Sequence, residues 1–326
     1  MTTESLIAGA LLGVHAGDSL GASLEFMSFG QVREAYPDGL REIVGGGPFD
    51  WPAGHATDDT DLTRAVLLAY LEPGADLVAT AGQHMLHWFD GNWPGRTPGS
   101  RPVDVGGATA TGLTRFRSSR DWRRAGAGAG SAGNGSLMRC IPTALARADV
   151  EPAQRAREAA AISSITHDDA RCVQACVAYT EIVVALLAGE SAQEAAGAGV
   201  LAMQKARPAD GAAAVELAIG QGLQIDLTRA VVKGDAGLAH GGTGYVLDSL
   251  SLAVAALVDP RPAVESLVDV TRLGGDTDTN GAIAGGLLGA RDGLSAWPGS
   301  WTERLQFDAE FRAAASTFAA HYRSAT

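Results

Sequence analysis

Four glycines, Gly9, Gly13, Gly17 and Gly21, recur at every fourth position of an otherwise apolar N-terminal stretch. Residues four apart share one face of an α-helix, so a helix over 4–24 carries the glycines as a single stripe. Without a Cβ, that stripe admits another helix or a loop against its backbone. The rest of the chain has the same leaning. Apolar residues make up 46% of the 326, carried largely by Ala, Val and Leu, and aromatics only 6%. Ala and Leu are strong helix formers, and no run alternates for long enough to build a sheet. An all-α, single-domain chain over 1–326 is expected, long enough for a sizeable buried core.

Helical periodicity predicts further elements at 76–89, 107–117, 137–148, 153–165, 168–188, 191–205, 211–222, 245–257, 262–272, 280–291 and 304–322. One more is opened by Asp58 and Asp59, continues over 62–71 and is stopped by Pro73-Gly74. Gly-rich connectors fill 37–56 and 233–244. From Gly91 to Gly135 the chain is dominated by Gly, Ser, Arg and Pro, interrupted only by the short helix at 107–117. That is long for a loop in a compact domain, and such loops commonly carry function.

A net charge of −12 disfavours non-specific binding to nucleic acid or an anionic membrane, while leaving room for a local basic pocket. The N-terminal apolar run is preceded by Glu4 and by no Lys or Arg, so it lacks the basic start of a signal peptide. No uncharged run reaches the roughly 18 residues of a membrane span. Cys140, Cys172 and Cys176 show no CxxC spacing. They read as buried thiols in a cytosolic protein, not as zinc ligands.

Two acidic clusters, Thr57-Asp58-Asp59 and Asp276-Thr277-Asp278-Thr279, stand beside helix starts. Either alone is accounted for by the helix dipole, worth roughly 0.3–1 kcal/mol, with Thr57 or Thr279 as a cap. Brought together, four carboxylates would need a cation or raised pKa values. Oxygen-only ligands select Mg²⁺ or Mn²⁺ over zinc, and a shared carboxylate would give two ions roughly 3.5–4 Å apart. A phosphatase reading of Asp276-Thr-Asp278-Thr fails, because Asn280 follows where Thr or Val belongs and Val270–Gly275 makes a poor buried strand. The loop Gly126–Gly135 matches a dinucleotide fingerprint over Gly128–Gly133, but Arg115–Arg124 ahead of it is no apolar strand. Its free N–H groups before a helix starting near Ser136 suit a diphosphate instead.

The segments GALLGVHAGDSLGASLEF (9–26), ATDDTDLTRAV (56–66), AGNGSLMR (132–139), THDDARCVQAC (166–176), GYVLDSLSLA (244–253) and GGDTDTNGAIAGGLLGA (274–290) together resemble the ADP-ribosylglycohydrolase family, which includes the dinitrogenase-reductase-activating glycohydrolase. The resemblance runs in order from residue 9 to 290. It implies a compact all-α fold with two Mg²⁺ (or Mn²⁺) ions, and hydrolysis of the glycosidic bond between ADP-ribose and an acceptor. By motif the metal ligands would be Thr57, Asp58, Asp59, Asp276, Asp278 and Thr279. Glu25 matches the family's acidic residue near the scissile bond, and proton transfer would fall to Glu25 or to a metal-ligand carboxylate such as Asp59 or Asp278. Gly130, Ser131, Asn134 and Gly135 would lie along the diphosphate and distal ribose. His167 would approach the adenosine end, and Tyr245 would line the pocket. Asp18 reads as a structural hydrogen-bonding group. Asp61, where relatives commonly have Gln or Ala, should face away from the site. Ala132 leaves no aromatic to stack on adenosine.

The expected partner is an ADP-ribosylated protein or a small ADP-ribose conjugate. Arginine is preferred as acceptor, since GYVLDSL and GNGSLMR look closer to the bacterial nitrogenase-regulating branch, with serine, a base or a free conjugate left open. Two other readings compete: a non-catalytic binder of ADP-ribose or Mg²⁺, and a metal-dependent phosphate or nucleotide hydrolase.

Overall fold

The glycine stripe closes on a helix from the far end of the chain. The computed structural model describes residues 1–72, 76–206 and 208–325. Its α-helices are α1 (Thr3–Gly21), α2 (Phe29–Ala35), α3 (Asp58–Leu71), α4 (Leu77–Phe89), α5 (Gly107–Ser119), α6 (Ile141–Ala146), α7 (Pro152–Ser164), α8 (Ala170–Leu187), α9 (Ala192–Ala206), α10 (Ala212–Gly222), α11 (Leu227–Lys233), α12 (Val246–Val258), α13 (Ala263–Arg272), α14 (Thr277–Asp292), α15 (Gly299–Thr302) and α16 (Asp308–Ala325). Among the described residues no strand forms, and three isolated bridges are the only β pairing.

Helix α14 carries its own glycines at 281, 285 and 289, and it lies antiparallel on α1. A Cβ built on Gly9 would sit 2.6 Å from the Gly289 carbonyl oxygen, and one on Gly281 would sit 2.5 Å from that of Gly17. Likewise Gly13, Gly17 and Gly21 face the backbone of Gly285, Gly281 and Thr277, with no room for a side chain. The two helices therefore touch main chain to main chain. Residues Leu6–Gly21 of α1 and Thr277–Ala290 of α14 are buried throughout. A helix apolar on every side belongs in the centre of a fold.

Around this pair pack α3, α8, α12, α13 and α16. Helix α8 has the length and apolarity to cross a membrane. In this fold it buries Cys172, Cys176, Tyr179 and Val183, and the Tyr179 hydroxyl donates to the Ile283 carbonyl of α14 at 2.8 Å. The thiols of Cys140, Cys172 and Cys176 are buried and unpaired.

The helices expected at 76–89, 107–117, 153–165, 168–188, 191–205, 211–222, 245–257 and 262–272 appear within two residues at each end. Four expectations change. Helix α1 ends at Gly21 instead of 24, so Glu25 stands in the turn that follows it. Helix α6 begins at Ile141, not at 137 or at Ser136. The amides of Leu137 and Met138 instead turn back on the Asn134 carbonyl, at 2.8 and 3.1 Å, and Pro142 sets the first helical turn. Helix α14 begins at Thr277, three residues early, so the second acidic cluster lies in its first turn. The last helix begins at Asp308 rather than 304. The Pro73-Gly74 stop lies outside the described residues. The short helices α2 and α11 were not anticipated, although Ser28 and Gln31 form a capping box at the start of α2.

If main-chain contact between α1 and α14 holds the centre, Gly17→Val should destabilise the protein by about 3 kcal/mol or more in urea denaturation. The control Gly197→Ala, with open space around its helical Cβ position, should be neutral or stabilising by up to about 1 kcal/mol. Equal effects of the two substitutions would refute the packing argument.

Candidate active site

The antiparallel pairing brings the C-terminal end of α1 to the N-terminal end of α14. Thr277 Oγ1 donates to the Gly21 carbonyl at 2.7 Å, and Phe26 N to the Gly275 carbonyl at 2.9 Å. The turn after α1 thus delivers Glu25 beside Asp276 and Asp278. Asp18, one turn back on α1, holds the third element. Its Oδ2 accepts from the amides of Thr57 (3.1 Å) and Thr60 (3.3 Å) and from the Thr60 hydroxyl (2.5 Å). Asp18 is therefore the clamp that sets the start of α3. Thr57 caps that helix, its hydroxyl accepting from Asp59 N at 3.3 Å.

The two acidic clusters meet. The hydroxyls of Thr57 and Thr279 both converge on Asp59 Oδ2, at 3.3 and 3.4 Å. Glu25, Asp58, Asp276, Asp278 and Thr279 form one side of a cavity of about 610 Å³, faced by Thr109, Asn134, Gly135 and His167. Asn134 reaches across, donating to Asp276 Oδ2 at 2.7 Å and to Ser249 Oγ at 3.0 Å.

Asp104, which sequence reasoning missed, completes the acidic wall. Carboxylate oxygens of Glu25, Asp104 and Asp278 lie within 4.8 Å of one another. The only signal for it was its place in the long Gly91–Gly135 stretch, just ahead of α5.

No Lys or Arg is among the described residues lining this cavity. Burial and mutual repulsion push the carboxyls of Asp58, Asp59 and Asp278 well above the ordinary range. Glu25 is pushed up to about 8 by burial and by the charges of Asp104, Asp276 and Asp18. Asp104 is pushed up to about 6 by burial and by Asp276. Asp59 Oδ1, Asp278 Oδ1 and Glu25 Oε2 are buried with no hydrogen-bond partner. Buried carboxylate oxygens without donors are costly unless protonated or bound by a cation. An all-oxygen donor set of this kind fits a hard divalent ion.

Other expected site residues fall elsewhere. Gly130 and Ser131 are not part of the cavity lining. The Gly130 amide donates to Asp169 Oδ2 at 2.7 Å and the Gly128 amide to Asp168 Oδ1 at 2.6 Å. These two N–H groups are already engaged by carboxylates; the part of the loop that lines the cavity is Gly133, Asn134 and Gly135. Tyr245 lies outside the lining too. Its ring packs on His240, with centroids 4.2 Å apart, and its hydroxyl accepts from Arg171 at 3.4 Å. Its backbone holds the loop in place: Gly133 bridges to Tyr245, and Val246 N donates to the Ala132 carbonyl at 3.1 Å.

A second chamber, of about 170 Å³, shares Asp58 and Asp104 with the large cavity. Trp51 and His55 stack on each other in its wall, with centroids 4.8 Å apart. Asp61 points to this side, away from the acidic cluster. It accepts from Trp88 Nε1 (3.1 Å), Trp93 Nε1 (2.9 Å) and Arg96 (2.8 Å). Its charge is thereby paired with Arg96 and kept out of the acidic cluster's balance.

The chain is similar to proteins of known kind along almost its whole length. The sequence profile of the ADP-ribosylglycohydrolase family matches residues 1–326. The ADP-ribosyl-[dinitrogen reductase] glycohydrolase of Rhodospirillum rubrum is 29% identical over 307 residues, 93% of this chain and 90% of that protein. The ADP-ribosylarginine hydrolase Tri1 of Pseudomonas putida (strain GB-1) is 29% identical over 303 residues, 91% of this chain and 73% of that protein. Among solved structures, a chain of an ADP-ribosylglycohydrolase-related protein complex superposes with a TM-score of 0.78 at 28% identity, covering 97% of this chain and 98% of that one. With the helical fold and the joined acidic clusters already described, these matches place the chain in the ADP-ribosylglycohydrolase family, hydrolases of glycosidic bonds.

Proposed function

We propose that the protein is a Mg²⁺-dependent hydrolase that releases ADP-ribose from an arginine side chain. The observation that carries this reading is the cluster of buried, donorless carboxylate oxygens of Glu25, Asp59 and Asp278 beside the large cavity, with Asp58 and Asp104 shared between that cavity and a smaller chamber. The 610 Å³ cavity takes the ADP-ribose, with its adenosine end toward His167. The acceptor enters through the smaller chamber. A guanidinium is planar, stacks on aromatic faces and pairs with carboxylates, so it suits the Trp51 wall and the Asp58 and Asp104 groups there. A serine acceptor would use none of the aromatic surface. The names of the Rhodospirillum and Pseudomonas relatives agree with an ADP-ribosylated protein or arginine as substrate. Buried, unpaired thiols suit a cytosolic setting.

Asp58, Asp59, Asp276 and Asp278, with the hydroxyls of Thr57 and Thr279, would hold two Mg²⁺ ions. Bound there, the ions supply positive charge that orients the ribose hydroxyls and offsets carboxylate repulsion. Cleavage at the anomeric carbon develops oxocarbenium character, and the acidic wall faces that charge. Glu25 and Asp104 are the two carboxyls of the acidic wall outside the proposed ligand set, and their oxygens lie within 4.8 Å of Asp278. Between them these two carboxyls would give a proton to the leaving nitrogen and take one from the attacking water.

Three outcomes are expected. With Mg²⁺ the protein should release ADP-ribose from an ADP-ribosyl-arginine peptide and much less from an ADP-ribosyl-serine peptide, and chelation should abolish both. No release from the arginine peptide would sink the acceptor assignment. Asp278→Ala should lower turnover by at least about 100-fold while leaving the helical circular-dichroism signal intact; retained activity would count against the site.

The third outcome concerns pH. Without a cation, carboxyls whose folded pKa values are raised contribute stability in full below about pH 4, and that contribution is lost as pH rises through the folded values. For Asp104 and Glu25 these are about 6 and about 8. The melting temperature of chelated protein should therefore fall between pH 5 and pH 8, and Mg²⁺ should raise it more at pH 8 than at pH 5. A Mg²⁺ effect independent of pH would show that these carboxyls are not the ligands.

A further inference from the structure

Behind His167 lies a guanidinium that the proposed chemistry does not use. Arg139 is fully buried, and among the described residues no carboxylate pairs with it. It donates to the Gly135 carbonyl at 2.5 Å and to Thr166 Oγ1 at 2.7 Å, with a longer contact of 3.5 Å to the Ile162 carbonyl. A guanidinium has donors only, and a threonine hydroxyl has a single proton. Thr166 Oγ1 accepts from Arg139, so its own proton must go to another atom. Among the described residues the acceptor in reach is His167 Nδ1, at 2.7 Å. That leaves Nδ1 carrying a lone pair and the ring proton on Nε2.

The rest of the surroundings agree with this order. Burial and the Arg139 charge push the His167 imidazolium down to about 3, so the ring is neutral through the physiological range. Its backbone is held by Ser163, whose carbonyl accepts from His167 N at 2.8 Å and whose hydroxyl donates to the His167 carbonyl at 2.9 Å. The Nε2 edge faces Gly133 and Gly135 at the cavity wall. A Cβ built on Gly135 would lie 2.9 Å from Cε1 and 3.2 Å from Nε2, so a side chain there would press on the ring. Among the described residues Nε2 has no protein partner.

We propose that Arg139 and Thr166 are positioning residues that fix His167 as a neutral Nε2–H donor aimed into the cavity, where it meets an acceptor oxygen of the ligand's phosphate or ribose. The identity of that ligand rests on the function proposed above; the tautomer does not. The arrangement selects for acceptor atoms at this point of the cavity.

Multiple-bond ¹H–¹⁵N NMR of the full-length protein with ¹⁵N-labelled histidine reads the tautomer directly, His167 being assigned by loss of its signals in His167→Gln. The unliganded protein should show His167 protonated at Nε2. Thr166→Val should lose that preference and bind ADP-ribose about three- to tenfold more weakly, the scale of one hydrogen bond. Thr166→Ser should restore both. A proton on Nδ1 in the parent protein would overturn the proposal, and that spectrum decides the tautomer even where Thr166→Val fails to fold. A lost preference with unchanged ADP-ribose affinity would overturn the donor role toward the ligand. Nε2 protonation in a protein that binds no ADP-ribose would leave the tautomer relay standing and refute the ligand reading instead.

Discussion

The contact of α1 with α14, backbone on backbone, is the constraint on which the site depends. Glycines on both helices remove the side chains that ordinarily separate packed helices, and the reversed order of their pairings fixes the register. One end of that register puts Glu25 beside Asp276 and Asp278, and Asp18 then sets α3 so that Asp58 and Asp59 complete the cluster. A side chain between the helices would separate carboxyls whose distances are set in ångströms. Rigid placement matters here because the repulsion between buried acids would otherwise drive them apart.

Surrounding polar groups divide the labour. Threonines 57 and 279 satisfy one oxygen of Asp59, and Asn134 one oxygen of Asp276, while Asp59 Oδ1 and Asp278 Oδ1 are left bare. Partial satisfaction of this kind keeps the carboxyls oriented without neutralising them. Asp61, only two residues from Asp59, is treated in the opposite way, fully enclosed by two indoles and Arg96. Neighbouring aspartates on one helix thus have opposite fates because successive helical positions face different directions.

Much of this was legible from residue order. The four-residue glycine period translates directly into a helix face, and the acidic clusters stood at helix starts where carboxylates and threonines are easily recognised. Their meeting was not legible from spacing, since more than two hundred residues separate them. Asp104 was invisible for another reason: a single aspartate in an irregular Gly, Pro and Arg stretch has no period or partner in sequence to mark it. The loop Gly126–Gly135 was legible only in part: its composition advertises free amides along its length, whereas Asp168 and Asp169 from the following motif occupy those of Gly128 and Gly130, and only its end, Gly133 to Gly135, lines the cavity. The turn over Ser136–Met138 misled because its residues are apolar enough to pass for helix, yet their amides fold back on Asn134.

The pairing of the first helix with one near the other end also has a consequence during synthesis. Gly21 and Thr277 are 256 positions apart. At about 5–20 residues per second, a ribosome needs about 13–50 s to cover that distance. Through that interval the N-terminal helix can meet α3 but not α14, and its glycine face stays open to whatever else is present in the cell. A nascent chain of this design is a natural client for chaperones that shield apolar segments, and its acidic centre assembles only after most of the polypeptide has emerged.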